Sequence, residues 1–235
     1  MLNQTRARSI DLDNPFAPLT GLCELVLVRH GEQVLRRELS ASETVDPPLS
    51  ERGRRQVSEV AERMASMEID AVYSSPLRRA LDTGRAIAAP HGLEPVVRET
   101  LTEYEAWKNF PADQSPFETL PHEEISRIFR EHARTRSYRA FPYAEDPVAF
   151  RERVLGEMST IVDENPGRRV VVACHSGVIN AVLADALGSG FDMPVRVHHT
   201  SLSVVRAADT RRAVRSVNDF THVLSFQSDV GAMNL

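Results

Sequence analysis

A chain of 235 residues with 42% hydrophobic content can bury one substantial core, and no low-complexity linker divides it. Its net charge of −5 argues against a general nucleic-acid or membrane-surface role, so any attraction for anions must be local. No segment approaches the ~18 apolar residues of a transmembrane helix, and Arg6, Arg8, Asp11 and Asp13 break up the start of the chain, so the expected location is cytoplasmic, with no membrane and no nucleic-acid partner.

In chain order, the apolar run Leu25 to Val28 predicts a buried strand over 24–28, and the glycine beyond its end allows a sharp exit. Arg29 and His30 therefore stand at a strand's carboxyl end, the edge at which open α/β sheets bind ligands. A helix over 50–67 follows, capped by Ser50. A strand over 71–74 leads into Ser75-Pro76-Leu77-Arg78-Arg79, where Pro76 suits the opening of a helix over 77–90 and Arg78 falls in its first turn. After a strand over 94–97, the stretch 104–143 breaks the alternation: it is rich in aromatic, proline and charged residues around a helix from His122 to Thr135. A helix over 146–164 precedes the run Arg169 to Cys174, a strand that ends in His175-Ser176-Gly177 and enters an apolar helix over 178–187. Strands over 202–206 and 222–226 complete the pattern, between tails at 1–20 and 228–235. Alternating strands and helices predict an α/β fold, a three-layer α/β/α sandwich with a mostly parallel central sheet, in one domain over 21–227.

The strand ends thus offer Arg29, His30, Arg78 and His175 to one edge, where the helix beginning near Gly177 adds free backbone N–H groups. An anion pocket is the economical explanation. Cys23 and Cys174 lie in or beside strands and read as buried free thiols. A cysteine-dependent phosphatase mechanism at Cys174 would need an arginine six positions on, and Asn180 stands there. The other histidines, His91, His122, His132, His198, His199 and His222, lack the spacing of a ligand set, so neither metal nor cofactor is expected.

These motifs resemble the histidine phosphatase superfamily, also called the phosphoglycerate mutase-like fold. The matching stretches are Leu27 to Glu32, which carries the family's Arg-His-Gly signature, Asp46 to Gln56, Tyr73 to Thr83, Leu101-Thr102-Glu103 and Val171 to Ile179, in the family's order. The resemblance implies that His30 attacks a phosphoryl group and becomes phosphohistidine, which water hydrolyses without a metal. It implies that Arg29, Arg78 and His175 surround the phosphoryl, with Ser176 and Arg36 as further phosphate contacts. Planar guanidinium forks suit this task, because the equatorial oxygens need preorganised donors. Glu103 would protonate the leaving alcohol, with Glu105 as its rival, and His199, Thr200 and Ser201 would border the pocket.

The chain departs from the family pattern where Arg36 replaces a frequent asparagine, and around Trp107, where glycines are missing. The segment 104–143 would cover the pocket as a lid or specificity element. The expected activity is hydrolysis of a small phosphorylated metabolite, with inorganic phosphate as product; the oligomeric state is open, and a homodimer is allowed. Two alternatives stand beside it: phosphoryl transfer between hydroxyls of phosphoglycerate, and a non-catalytic phospho-ligand binding module. The mutase reading is disfavoured because Val34-Leu35-Arg36-Arg37 stand where its associated tryptophan and asparagine would be.

Overall fold

The computed structural model describes residues 21–208 and 211–226. Six strands form one sheet in the order β3-β2-β4-β1-β5-β6. They are β1 (Cys23–Arg29), β2 (Ala71–Ser74), β3 (Val96–Val97), β4 (Arg169–Cys174), β5 (Leu202–Ala208) and β6 (Arg211–Asp219). β1, β4, β2 and β3 are mutually parallel, while β5 and β6 close one side antiparallel. Central β1 and β4 read as near-continuous apolar runs because both faces of the sheet are covered.

The helices are α1 (Glu51–Met64), α2 (Arg78–Ala88), α3 (Pro116–Thr119), α4 (His122–Thr135), α5 (Pro147–Glu164) and α6 (Ser176–Leu187). On one face Val60 and Met64 of α1 and Ile87 of α2 pack on Val26, Val28, Val72 and Val171. On the other, Phe150, Met158 and Ile161 of α5 and Ile179 and Leu183 of α6 cover Leu25, Leu27, Val170 and Val172. This is the expected three-layer sandwich, with a mostly parallel centre. Ser50 caps α1 as anticipated, its side chain accepting from the Gly53 N–H.

One predicted strand is wrong. Residues 222–226 form part of a 3-10 segment, Thr221–Phe226, and the last strand is instead β6. The apolar letters of Val223 and Leu224 mislead, because only Val223 is buried and Leu224 is half exposed. β6 is a sheet edge whose residues are intermediate or exposed, so it carries little apolar alternation to read. The tails expected at 1–20 and 228–235 lie outside the described residues.

The segment 104–143 has a small core of its own. Trp107, Phe110, Ile125 and Ile128 cluster with Phe117, Phe129, Phe141 and Tyr143, largely through edge-to-face ring contacts. Ala41 joins this cluster, and the N–H groups of Ala41 and Ser42 donate to the carbonyls of Gln114 and Ala112. The insertion is thereby tied to the loop between β1 and α1.

Candidate active site

Strand register assembles the site. Arg29 of β1 lies opposite Cys174 of β4, and Ser74 of β2 opposite Ala173, so His30, Ser75 and His175 leave the sheet side by side at its carboxyl edge. The His30 and His175 ring centroids are 5.1 Å apart. Gly31 follows because the chain passes too close to α1 for a side chain: a Cβ there would sit 2.6 Å from the Gly53 carbonyl oxygen.

His30 is buried, and its Nδ1 lies 2.7 Å from the carbonyl oxygen of Gly31. A carbonyl only accepts, so Nδ1 carries the proton and the lone pair of Nε2 is left for bonding. Burial, His175 and the Arg79 and Arg29 guanidinium groups hold His30 well below the usual histidine range, so the ring is neutral at neutral pH. His175 is fully buried, with Nε2 2.8 Å from Ser75 Oγ, and its Nδ1 has no hydrogen-bond partner among the described residues.

The arginine beside His30 is Arg79, not Arg78. Arg79 is 4% exposed and its Nε donates to His30 Nε2 at 3.2 Å, while Nη1 donates to the Val45 carbonyl at 2.9 Å. The side chain of Arg78 is 60% exposed and pairs with Asp46 at 3.0 Å. Successive helical residues differ by about 100° in direction, and the stripe Ala80, Thr83, Gly84 and Ile87 sets the buried face of α2. Arg79 lies four residues before Thr83 on that stripe, whereas Arg78 lies four before the half-exposed Asp82. The stripe was a usable signal in the sequence. Thr83 Oγ1 then locks α2 to the signature, donating to the Arg79 carbonyl and accepting from the Gly31 N–H.

Arg29 donates from Nη1 to the Val197 carbonyl at 2.6 Å, and its Nε is buried without a partner among the described residues. Burial pushes its pKa down to about 10, which still leaves it cationic at neutral pH. Arg36 is exposed and borders a separate cavity of about 440 Å³ together with Arg78, Asp46 and Glu43. The structure therefore does not gather Arg36 or Arg78 with His30. Ser176 opens α6 directly after His175 and stays at the edge.

Glu103 is the partly buried acid of the pair, the one whose carboxylate is held inside the site. Its carboxylate accepts from the N–H groups of Tyr104 at 2.9 Å and of Gly177 at 3.0 Å, the latter at the N-terminus of α6. Burial raises its pKa, although those two N–H groups and the charges of Arg79 and Arg29 pull the other way. A Cβ on Gly177 would lie 2.2 Å from Glu103 Oε1, so this glycine makes room for the carboxylate. Glu105 instead sits at the surface, 3.7 Å from Lys108. Tyr138, from the insertion, brings a buried hydroxyl to the same spot, 2.9 Å from that Cβ position.

Two further neighbours, His199 and Thr200, come from the turn before β5 that the resemblance set at the pocket's border. The ring of His199 lies 5.6 Å from that of His30, with a buried Nε2 lacking a partner among the described residues. Thr200, at φ +57, donates its N–H to the Arg29 carbonyl and its hydroxyl to the His199 carbonyl. That hydroxyl must then accept from His222 Nε2, at 3.2 Å, so His222 Nδ1 accepts from Arg63 of α1 at 3.0 Å. The chain of donors fixes the 198–201 turn. No group of three or more His, Cys, Asp or Glu side chains among the described residues is placed to hold a metal ion.

Against known proteins, the profile of the histidine phosphatase superfamily (branch 1) matches residues 25–220. A phosphoglycerate mutase-like protein 4 of Arabidopsis thaliana is 31% identical over 197 residues, 79% of this chain and 80% of the relative. Phosphoserine phosphatase 1 of Hydrogenobacter thermophilus is 25% identical over 209 residues, covering 87% and 96% of the two chains. A solved phosphoglycerate mutase from Bacillus anthracis superposes with a TM-score of 0.70 at 21% identity, over 87% of this chain and 96% of that one, a likeness of fold. By its profile match and its Arg-His-Gly strand end, this chain belongs to branch 1 of the histidine phosphatase superfamily.

Proposed function

We propose that this protein is a metal-independent phosphomonoester phosphatase that works through phosphohistidine on His30. The observation that carries this reading is the disposition of His30: Nδ1 is committed to the Gly31 carbonyl, and the lone pair of Nε2 faces the Arg79 guanidinium. Arg29, Arg79 and His175 Nδ1 would meet the equatorial oxygens, with Ser176 beside them at the N-terminus of α6. Ser75 would hold the His175 tautomer by donating its hydroxyl proton to Nε2.

In the first half-reaction His30 Nε2 bonds to phosphorus, the P–O bond to the alcohol breaks, and the departing oxygen takes the proton of Glu103. In the second, water attacks the phosphohistidine, yields its proton to the Glu103 carboxylate, and the N–P bond breaks to release inorganic phosphate. The neutral ring is required at the start, because a protonated Nε2 has no lone pair.

The substrate in this reading is a small phosphorylated metabolite, handled by one catalytic unit over 21–227 in the cytoplasm. Phosphate release from a panel of phosphomonoesters in EDTA, by wild type and His30→Ala, tests it: release by the wild type alone is expected. The likeness to a phosphoglycerate mutase-like relative keeps mutase transfer as the second reading. Dependence on added 2,3-bisphosphoglycerate with appearance of 2-phosphoglycerate would establish that reading instead. Binding of phosphate without turnover of any ester would indicate a binding module.

A further inference from the structure

Arg29 is built into a turn. Thr200 donates its N–H to the Arg29 carbonyl at 3.0 Å, the Arg29 N–H donates to the Ser201 carbonyl at 3.3 Å, and Arg29 Nη1 donates to the Val197 carbonyl at 2.6 Å. The turn over 197–201 therefore sets both the backbone and the guanidinium of this residue, whose buried Nε keeps no partner among the described residues. Thr200 has φ +57, a conformation that a β-branched side chain rarely adopts and that persists only where its surroundings impose it.

The surroundings that impose it lie where β6 ends. Asn218 grips the turn with one amide, donating from Nδ2 to the Arg196 carbonyl at 3.0 Å and accepting from the His198 N–H at 2.7 Å. Its own φ of +56 is one that asparagine tolerates. The ring of Phe220 stacks on that of His198, with centroids 4.0 Å apart. His222 Nε2 donates to Thr200 Oγ1 at 3.2 Å, and Arg63 of α1 holds His222 in that tautomer while pairing with Asp219.

We propose that Asn218 and His222 are positioning residues for the phosphoryl site, acting as a clamp that holds the turn and, through it, the Arg29 guanidinium. The inference rests on the reading of Arg29 as a phosphoryl ligand and adds what keeps it in place. An arginine on a free stem must be ordered when the anion arrives, at a cost in side-chain entropy. One already fixed at its backbone and at Nη1 meets the anion with Nε in position, and a preorganised donor is worth more than a mobile one.

Three variants test this: His222→Ala; His222→Gln, whose amide N–H can still reach Thr200; and Asn218→Gly, which allows the positive φ but makes neither hydrogen bond. Val214→Ala, which weakens the packing of β6 on the core, is the control for lost stability alone. The readouts are affinity for inorganic phosphate by calorimetry, kcat/KM for one phosphomonoester across pH, and melting temperature. His222→Ala and Asn218→Gly should each lose about tenfold in phosphate affinity and in kcat/KM, the scale of one charge-assisted hydrogen bond. The alkaline limb assigned to Glu103 should keep its midpoint, and His222→Gln should recover most of the loss. Val214→Ala should melt earlier and bind phosphate as wild type does. Earlier melting with unchanged phosphate affinity in His222→Ala and Asn218→Gly overturns the proposal, as does an equal loss of affinity in Val214→Ala. Wild type that binds no phosphate overturns it together with the placing of Arg29. Failure of the phosphatase reading alone looks different: wild type would bind phosphate, and His222→Ala would bind it less well, yet neither would release it from any ester.

Discussion

Arg79 Nε lies 3.2 Å from His30 Nε2, so a buried guanidinium faces the one nitrogen of the signature histidine that keeps a lone pair. The contact does two things. It discourages protonation of the ring, and it places a fork of donors where a phosphoryl group would approach. Arg79→Ala is expected to lower kcat/KM by about 10²–10³, the usual cost of removing one preorganised donor. Arg78→Ala, which removes only a surface pair with Asp46, should change it by less than about threefold. Steady-state kinetics of the two variants on one ester decide the matter, and the reverse ranking would refute the assignment.

Phosphate should be trapped on the protein. Quenching turnover with a radiolabelled ester is expected to leave an acid-labile, base-stable label on wild type and none on His30→Ala. Glu103→Gln should still take up label from an ester with a good leaving group and should release it slowly, since the base for the attacking water is gone.

The acid has a pH signature. Burial raises the Glu103 pKa, and the acid works only when protonated, so kcat for a poor leaving group should be full below that raised value and fall as pH climbs through it. Glu103→Gln should erase this alkaline limb. A nitrophenyl ester, whose leaving group needs no proton, should show a much weaker limb, and identical profiles for both ester types would exclude Glu103 as the acid.

Gly177→Ala should displace the Glu103 carboxylate, because the new Cβ would stand 2.2 Å from Oε1. The expected loss is about 1–3 kcal/mol of stability, together with a fall in turnover. Thermal melts and kinetics on the same preparation measure both. Gly156→Ala, on the open side of α5 with nothing within 4 Å of its Cβ, is the control that should fold normally.

Acid should destabilise the fold early. His30, His175 and His199 are all held well below the usual histidine range by burial and by nearby arginines. Each therefore stays neutral in the fold and gains a proton on unfolding, so stability is complete above about pH 6.5 and declines as pH falls below it. Melting temperature between pH 7.5 and 5 should drop, and His199→Asn should flatten the slope; an unchanged slope would mean that His199 is accessible to protons in the folded state.

Much of this protein was legible in one dimension. The apolar runs before Arg29-His30-Gly31 and His175-Ser176-Gly177 can be buried only as central strands, and strand-helix alternation then dictates parallel pairing and a common carboxyl edge for both histidines. Glu103 could be nominated by its motif, but only packing distinguished it from Glu105, by seating one carboxylate on the N-terminus of α6 and leaving the other beside Lys108. Choosing Arg79 over Arg78 required the rotational phase of α2, which follows from which side of the helix finds the sheet. The edge strand β6 was missed because an edge buries too little to leave an apolar pattern, and Thr221–Phe226 was misread because apolar letters do not say whether a partner strand is in reach. His199, His222 and Arg63 meet through residues far apart in the chain. Local sequence determines which segments become strands and helices, which residue ends each strand and which helix face is apolar, since those depend on near neighbours; which side chains face one another across the edge is decided by strand register and by how the helices dock, which only the packed whole sets.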